Sequence, residues 1–327
     1  MSPVRIGVLG AARITPAAVV KPARNSPDAE VVGVAARDRA RADAFAAKHD
    51  VPRVFDTYAA LLADPDIEAV YNPLPNGLHA EWTIAALEAG KHVLCEKPFT
   101  SNAAEAEQVA VVADRTGLVV MEAFHYRYHP LAQRMRDLAE GGELGTLEHV
   151  EAALCFPLPK FSDIRYQYGL GGGATMDVGS YTVHLTRLLG LEEPTVRSAV
   201  AKLRTPDIDR AMTAELAFPS GHTGRITCSM WSKDVLKTYV RVRGSRGELH
   251  VINPTNPQVW HRMRVTVDGV KRSERFSRRP TYECQLDAFT AAVLRGTPTL
   301  TPPADSIANM RVLDAIYLAA GMRPRGT

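Results

Sequence analysis

Cysteine is scarce: a chain of 327 residues holds four, at 95, 155, 228 and 284, and no two form a Cys-x-x-Cys pair. That spacing suggests neither a disulfide framework nor a thiolate zinc site, and with no metal-binding pair read among the histidines either, no metal is expected; a cytoplasmic setting fits. Net charge is also small. Lys and Arg number 39 against 36 Asp and Glu, a formal +3 that, dispersed over a surface this large, supplies no strong field for nucleic acid or an anionic membrane surface. Long apolar runs are missing. Stretches free of charge, such as 69–80 and 249–261, stop at about a dozen residues and contain prolines, too short to span a bilayer. The start, Met1-Ser2-Pro3-Val4-Arg5, leads straight into an apolar run without the basic, apolar and small-residue regions of an export signal. Internal repeats and low-complexity tracts are absent.

What is present is a soluble, globular composition, 46% hydrophobic and 23% charged. At about 150 residues per domain, the length allows two domains. Short β-branched runs at 5–9, 31–35, 69–71, 92–95 and 118–121 alternate with segments of helical spacing at 79–89 and 103–113, punctuated by Gly90 and Gly117. That alternation predicts an α/β domain over residues 1–122, a parallel sheet with helices on both faces. A helix near 131–140 follows. From Gly145 the texture changes to alternating runs between 148–156 and 263–267, joined by Gly, Pro and Asp turns. These predict an α+β domain over 123–327 with an open, mainly antiparallel sheet. A glycine-rich turn and helix at 169–190 interrupt it, and helices near 282–294 and 305–320 close the chain, the last with the option of packing back on the first domain.

The first run ends in Gly10-Ala11-Ala12-Arg13-Ile14 and turns toward a helix. Backbone amides at such a junction cradle a pyrophosphate. The glycine fingerprint is degraded, with Ala12 and Thr15 at its second and third positions, and an ordinary tight turn is an equal reading. The second run ends in Ala35-Ala36-Arg37, followed by Arg39 and Arg41. An acidic residue there would accept from the ribose hydroxyl of NAD, whereas a small residue followed by Arg admits the 2′-phosphate of NADP. NADP is the preferred expectation and NAD stays open, as does a plain pairing of Arg37 with Asp38 or Asp43.

The motifs Tyr71-Asn72-Pro73-Leu74-Pro75-Asn76, His79 and Gly90-Lys91-His92-Val93-Leu94-Cys95-Glu96-Lys97-Pro98 resemble the glucose-fructose oxidoreductase and inositol dehydrogenase (Gfo/Idh/MocA) family. The segments 122–130, 164–166 and 171–181 are similar to its branch of dimeric dihydrodiol dehydrogenases and NADP-dependent xylose dehydrogenases. The resemblance implies a Rossmann domain, then a substrate domain whose open sheet builds a homodimer or homotetramer. It implies that Lys97 lies beside nicotinamide and substrate before an often cis Pro98, and that Glu96 contacts the nicotinamide ribose region. Asn72, Pro73, Pro75, Asn76 and His79 would flank the cofactor.

A hydride exchanged at a carbinol carbon needs matching proton transfer at its oxygen. Lys97, Asp177, Tyr181 and His184 are the candidates, the last three sharing one face if a helix begins near Asp177. Tyr181, where the inositol dehydrogenase branch has His, matches the dihydrodiol and sugar reductase branch. The expectation is that Tyr181 donates or accepts the proton while Lys97 polarises the substrate oxygen and lowers the Tyr181 pKa, with Asp177 orienting Lys97 or a substrate hydroxyl. The opposite assignment, with Lys97 as donor, is open. Asp177 also reads as a helix N-cap, Tyr181 as a packing ring and His184 as a buried packing residue. Arg127 and Arg165 would bind substrate oxygens or pair structurally. The expectation is a sugar, polyol or cyclic diol oxidoreductase acting on a small molecule. The alternatives are an NAD-dependent glycoside hydrolase or a non-catalytic NADP sensor. Cys95, two residues before Lys97, is expected to be open to slow attack by thiol reagents.

Overall fold

The computed structural model describes residues 2–327, so Met1 of the N-terminal reading lies outside the described residues. Two compact units emerge: the first runs through Thr100 and continues with Ala104–Tyr128 and Arg279–Ser306, and the second comprises Ser101–Ala103, His129–Arg278 and Ile307–Thr327.

In the first unit, β1 (Val4–Leu9), β2 (Ala29–Ala35), β3 (Arg53–Phe55), β4 (Ala69–Asn72), β5 (His92–Cys95) and β6 (Val120–Glu122) form one sheet in the order β3-β2-β1-β4-β5-β6. Every pairing is parallel. β1 is buried at five of its six positions because both faces of a parallel sheet are covered, which is why it reads as an apolar run rather than an alternation. β3 escapes sequence reading, being three half-buried residues.

Helices α1 (Lys21–Arg24), α2 (Arg39–His49), α3 (Tyr58–Ala63), α4 (His79–Glu88) and α5 (Ala103–Thr116) supply the crossovers. Local chemistry starts and stops them. The Asp38 carboxylate accepts from the Arg41 amide at the start of α2, and the Thr57 hydroxyl accepts from the Ala60 amide at the start of α3. Gly90 and Gly117 follow α4 and α5 with φ of 77° and 66°, the left-handed conformation that closes a helix without a Cβ penalty.

In the second unit, α6 (Pro130–Glu140) precedes β7 (Leu147–Cys155), and α7 (Ser180–Gly190) lies between β7 and β8 (Thr195–Thr205). Then come β9 (Ile208–Ala217), β10 (Thr223–Ser229), β11 (Thr238–Gly244), β12 (Gly247–Ile252), β13 (Arg262–Val267) and β14 (Val270–Glu274). The sheet order is β14-β13-β12-β11-β7-β10-β9-β8. It is antiparallel except at β7 and β10, which pair in parallel because α7, β8 and β9 intervene. One face buries Val150, Ala152, Met212, Ala214, Ile226, Val240 and Val242. The opposite face carries a charge-alternating row in register, Glu215, Arg225, Glu151 and Arg241.

The late helix α8 (Thr281–Arg295) belongs to the first unit, where Leu286 and Phe289 join the core made by Ile6, Val8, Val19, Val34 and Tyr71. α9 (Pro303–Ala319) ends the helical sequence.

Candidate active site

At the end of β1 the chain turns at Gly10, whose φ of 98° only glycine adopts freely and whose amide donates to Ala35 at 2.6 Å. A Cβ there would come within 3.1 Å of Leu74. Thr15 stands fully buried at the third fingerprint position, and the following helix opens with a π-helical turn, Pro16–Val20. Arg13 and Ile14 are exposed, Ala11 and Ala12 half-buried. The Arg41 guanidinium reaches back to the Ala11 carbonyl at 3.4 Å. Ala36 is buried and Arg37 exposed. The acids that offered a plain partner to Arg37 are engaged elsewhere: Asp38 caps α2 and Asp43 accepts from Arg39 at 2.9 Å. A small-residue turn opening a helix at the end of β1 fits the pyrophosphate of a dinucleotide.

The segments after β4, β5 and β6 lie at the carboxyl edge of the same sheet, where such sheets bind ligands. Lys97 is half-buried on a turn whose peptide bond to Pro98 is cis. Glu96 is nearly buried and accepts from the Tyr71 hydroxyl at 2.6 Å. Asn72 is fully buried, donating to the His79 carbonyl and to the Thr83 hydroxyl, both at 3.2 Å, while its backbone carbonyl receives the Glu96 amide. Pro73 is buried and Pro75 and Asn76 half-buried. His79, fully buried, lies 2.7 Å from the carbonyls of Pro98 and Leu74. Burial, outweighing those two carbonyls, together with the charge of Lys97, pushes its imidazole down to about 4. The neutral ring donates to one carbonyl at a time, and its place is beneath the lysine turn, tying it to the loop after β4.

His125, in the 3-10 turn His125–Tyr128, has no role assigned by the sequence motifs. Its Nδ1 lies 2.8 Å from the Thr281 hydroxyl and its ring packs on Tyr282, centroids 4.2 Å apart. Burial, then the charge of Lys97, pushes it down to about 3. The charge of Lys97 thus works with burial against protonation of both imidazoles. Tyr282, which feels the charge of Glu96, arrives from α8, far along the chain, and sequence reasoning had no signal for it. Arg127 is buried in the same turn. Contrary to the expectation that the histidines form no metal-ligand spacing, Glu122-x-x-His125 and His125-x-x-x-His129 are present, but such pairs need a helix and this stretch is a strand end and a 3-10 turn. No cluster of three ligating side chains gathers among the described residues.

Cys95 corrects an expectation. Its side chain is fully buried, with Sγ 3.7 Å from the Phe99 carbonyl, and burial holds the thiol well above its usual range, so it is shielded from reagents rather than open to them.

In the second unit the glycine triplet shapes the approach to α7. Gly173 has φ of 130°, and a Cβ on Gly172 would sit 2.7 Å from the carbonyls of Arg165 and Gln167. Next comes a π-helical turn, Thr175–Gly179, that runs into α7. Asp177 lies inside this turn rather than capping it, and its amide donates to Gly173 at 3.0 Å. Since a π-turn closes five residues on rather than four, the one-face arithmetic linking Asp177 to Tyr181 does not carry over. Arg165 bridges Asp177 at 3.1 Å and Asp163 at 3.2 Å, and the Asp177 charge is the chief reason its guanidinium pKa is raised. The bridge is part-exposed, with 40% of the Arg165 side chain accessible. Tyr181 and His184 are buried on α7 at 9% and 3% exposure.

A six-stranded sheet in this order, with a glycine turn after β1 and a lysine turn after β5, defines a dinucleotide-binding oxidoreductase domain. The chain belongs to the Gfo/Idh/MocA oxidoreductase family: the family's NAD-binding Rossmann-fold model matches residues 4–124, and its C-terminal domain model matches residues 132–250. It is 37% identical to D-xylose 1-dehydrogenase (NADP(+)) 2 of Haloferax volcanii over 96% of both chains. It is 32% identical to dTDP-3,4-didehydro-2,6-dideoxy-alpha-D-glucose 3-reductase of Actinomadura kijaniata, over 98% of this chain and 96% of that one. Among solved structures, the 3-ketoreductase KijD10 of Actinomadura kijaniata in complex with NADP and TDP-benzene aligns with a TM-score of 0.90 and 31% identity, covering 98% of each chain.

Proposed function

We propose that this chain is an NADP-dependent oxidoreductase acting on a sugar, polyol or cyclic diol, or the matching carbonyl, with Lys97 and Tyr181 as its proton-transfer pair. The observation that carries the reading is Lys97 itself, half-buried on the cis-proline turn after β5 at the ligand edge of the sheet, a turn that the buried His79 holds through the Pro98 carbonyl. The relatives act on this chemistry: one is a xylose dehydrogenase using NADP, and others reduce a keto group on a dTDP-linked sugar. Solved structures of the 3-ketoreductase include a Tyr→Phe variant and a Lys→Ala variant. The two varied positions are as far apart in that chain as Lys97 and Tyr181 are here.

A nicotinamide cofactor bound at this edge would supply the hydride chemistry at the substrate carbon. Lys97 polarises the carbon's oxygen. Tyr181 donates the proton to it in reduction and accepts it in oxidation. Asp177, held by Arg165, accepts from a substrate hydroxyl, and Arg127 and His184 contribute to substrate binding. Gly10, Ala11, Ala12, Arg13 and Ile14 hold the pyrophosphate, while Ala36, Arg37 and Arg41 receive the 2′-phosphate. Asn72, Pro73, Pro75, Asn76, His79 and Glu96 support the nicotinamide end. The charge-alternating face of the eight-stranded sheet forms a homodimer or homotetramer, checked by light scattering, and the four buried thiols fit a reducing cytoplasm.

Steady-state kinetics of Lys97→Met and Tyr181→Phe, after a screen of sugars, polyols and dihydrodiols with NADPH absorbance as readout, test the pair. Each variant is expected to lose about 10²- to 10⁴-fold in kcat. Unimpaired turnover in either removes that residue from the chemistry. Glycoside cleavage without net change in cofactor absorbance would instead favour the hydrolase reading, and tight NADP binding without turnover on the panel the sensor reading.

A further inference from the structure

The segment after α9 carries a fully buried arginine. Arg325 has no exposed surface, and neither has its partner Asp209 on β9, at 2.9 Å. The guanidinium also donates from Nε to the Gly172 carbonyl at 2.6 Å and from Nη1 to the Arg323 carbonyl at 3.2 Å. It lies over the Tyr317 ring at 4.1 Å and faces the Tyr168 ring at 5.1 Å. Asp209 in turn accepts from the Thr175 amide and hydroxyl, both at 2.7 Å, and from the Tyr317 hydroxyl at 3.1 Å. Burial and the Asp209 charge keep the Tyr317 phenol protonated, so it is the donor. The segment itself is tied down, with Asn102 donating to the Arg325 carbonyl at 2.8 Å and Tyr168 to the Pro324 carbonyl at 3.2 Å.

These bonds converge on one short stretch. Arg325 grips Gly172 directly, Asp209 grips Thr175, and the Gly173 carbonyl between them receives the Asp177 amide. The Gly173 amide donates to the Arg165 carbonyl at 2.8 Å, so the backbones of both members of the Arg165–Asp177 bridge hang from the same anchor. The fit is tight: a Cβ on Gly173 would fall 2.3 Å from the Asp209 carboxylate and 2.8 Å from the Arg325 guanidinium.

We propose that Arg325, acting with Asp209, is a positioning residue that sets the placement of Asp177 and Tyr181 by locking the turn from Gly172 to Thr175 from which their helix starts. The proposal rests on the catalytic reading of those two residues. A buried ion pair is a poor net stabiliser, because desolvation offsets its Coulombic gain, and an apolar filler serves stability as well. What the pair supplies beyond packing is direction: a planar guanidinium and a two-oxygen carboxylate fix donors and acceptors at set angles, as no aliphatic side chain does.

Arg325→Met keeps most of the volume and removes the donors. With substrate varied, kcat/KM is expected to fall about 100-fold, the scale of a misplacement near 1 Å, while the Kd for NADP stays within about twofold. Hydrogen exchange should rise in residues 171–181 and stay unchanged in β1, β2 and β4. Arg325→Ala should regain part of its kcat/KM when guanidinium ion is added at non-denaturing concentration. Thr175→Val removes one hydroxyl bond at constant shape and should cost about 2- to 10-fold in kcat/KM. It serves as the test if the arginine variants do not fold. Unchanged kcat/KM in folded Arg325→Met or in Thr175→Val overturns the proposal, and so does a loss of NADP binding in step with activity. If Tyr181→Phe is itself fully active, the catalytic reading fails instead, and the exchange measurement still decides whether Arg325 holds the turn.

Discussion

Replacing Arg37 by alanine tests the cofactor assignment at a single charge. The side chain is exposed at the end of β2, after the buried Ala36, while Arg39 is committed to Asp43 and Asp56, and Arg41 reaches toward the Ala11 carbonyl. An exposed guanidinium adds little to folding, so the variant should melt with the parent. Its loss should be felt by the 2′-phosphate. A hydrogen bond to a charged group contributes about 1.5–3 kcal/mol, and solvent screening at an exposed edge favours the lower end, about 1.5 kcal/mol. That corresponds to about tenfold in Kd for NADPH, against less than about twofold for NADH. Fluorescence titration with both reduced cofactors at low and high salt measures it, and the NADPH penalty should shrink as salt rises. Equal weakening of both cofactors, or a penalty insensitive to salt, would refute the assignment of Arg37 to the 2′-phosphate.

Two further outcomes follow from buried groups. His79 has its folded pKa at about 4, below the ordinary value near 6.5, so between those values the unfolded chain binds a proton that the folded chain refuses. The stability it contributes is full above pH 6.5 and lost as pH falls toward 4, roughly 3 kcal/mol in all. Urea titrations at pH 7 and pH 4.5 should show a shallower acid loss in His79→Gln, and an identical loss would contradict this account. Cys95 should resist thiol reagents in the native protein and react on unfolding, so Cys95→Ser is expected to leave any slow inactivation unchanged. Protection of activity by that substitution would mean the site opens.

Much of the fold is legible locally. The apolar runs at β1, β2, β4 and β5 mark a sheet buried on both faces, and the alternating runs of the second half mark a sheet with one polar face. β3 and β14 were missed for different reasons: β3 is short and half-buried, and β14 is polar, Val-Lys-Arg-Ser-Glu, with pairing to β13 its one claim to strand structure. Candidate residues in local motifs, such as Gly10, Arg37 and Lys97, could be named from spacing and chemistry. Their neighbours could not: Tyr71 gains its role only by donating to Glu96, and His125 by its burial against Thr281 and Tyr282, all distant in the chain.

The sequence by itself determined the alternation of strands and helices, the glycine turn after β1 and the lysine turn after β5, because each depends on residues within a few positions of one another. Tertiary structure alone decided that α8 enters the first unit's core, that His79 is buried beneath the lysine turn, and that Asp177 lies within a π-turn anchored by Asp209 and Arg325. The Arg325 contacts join residues 116 and 153 positions apart. A buried charge is tolerable only where the folded chain supplies its partners, so no local pattern announces it.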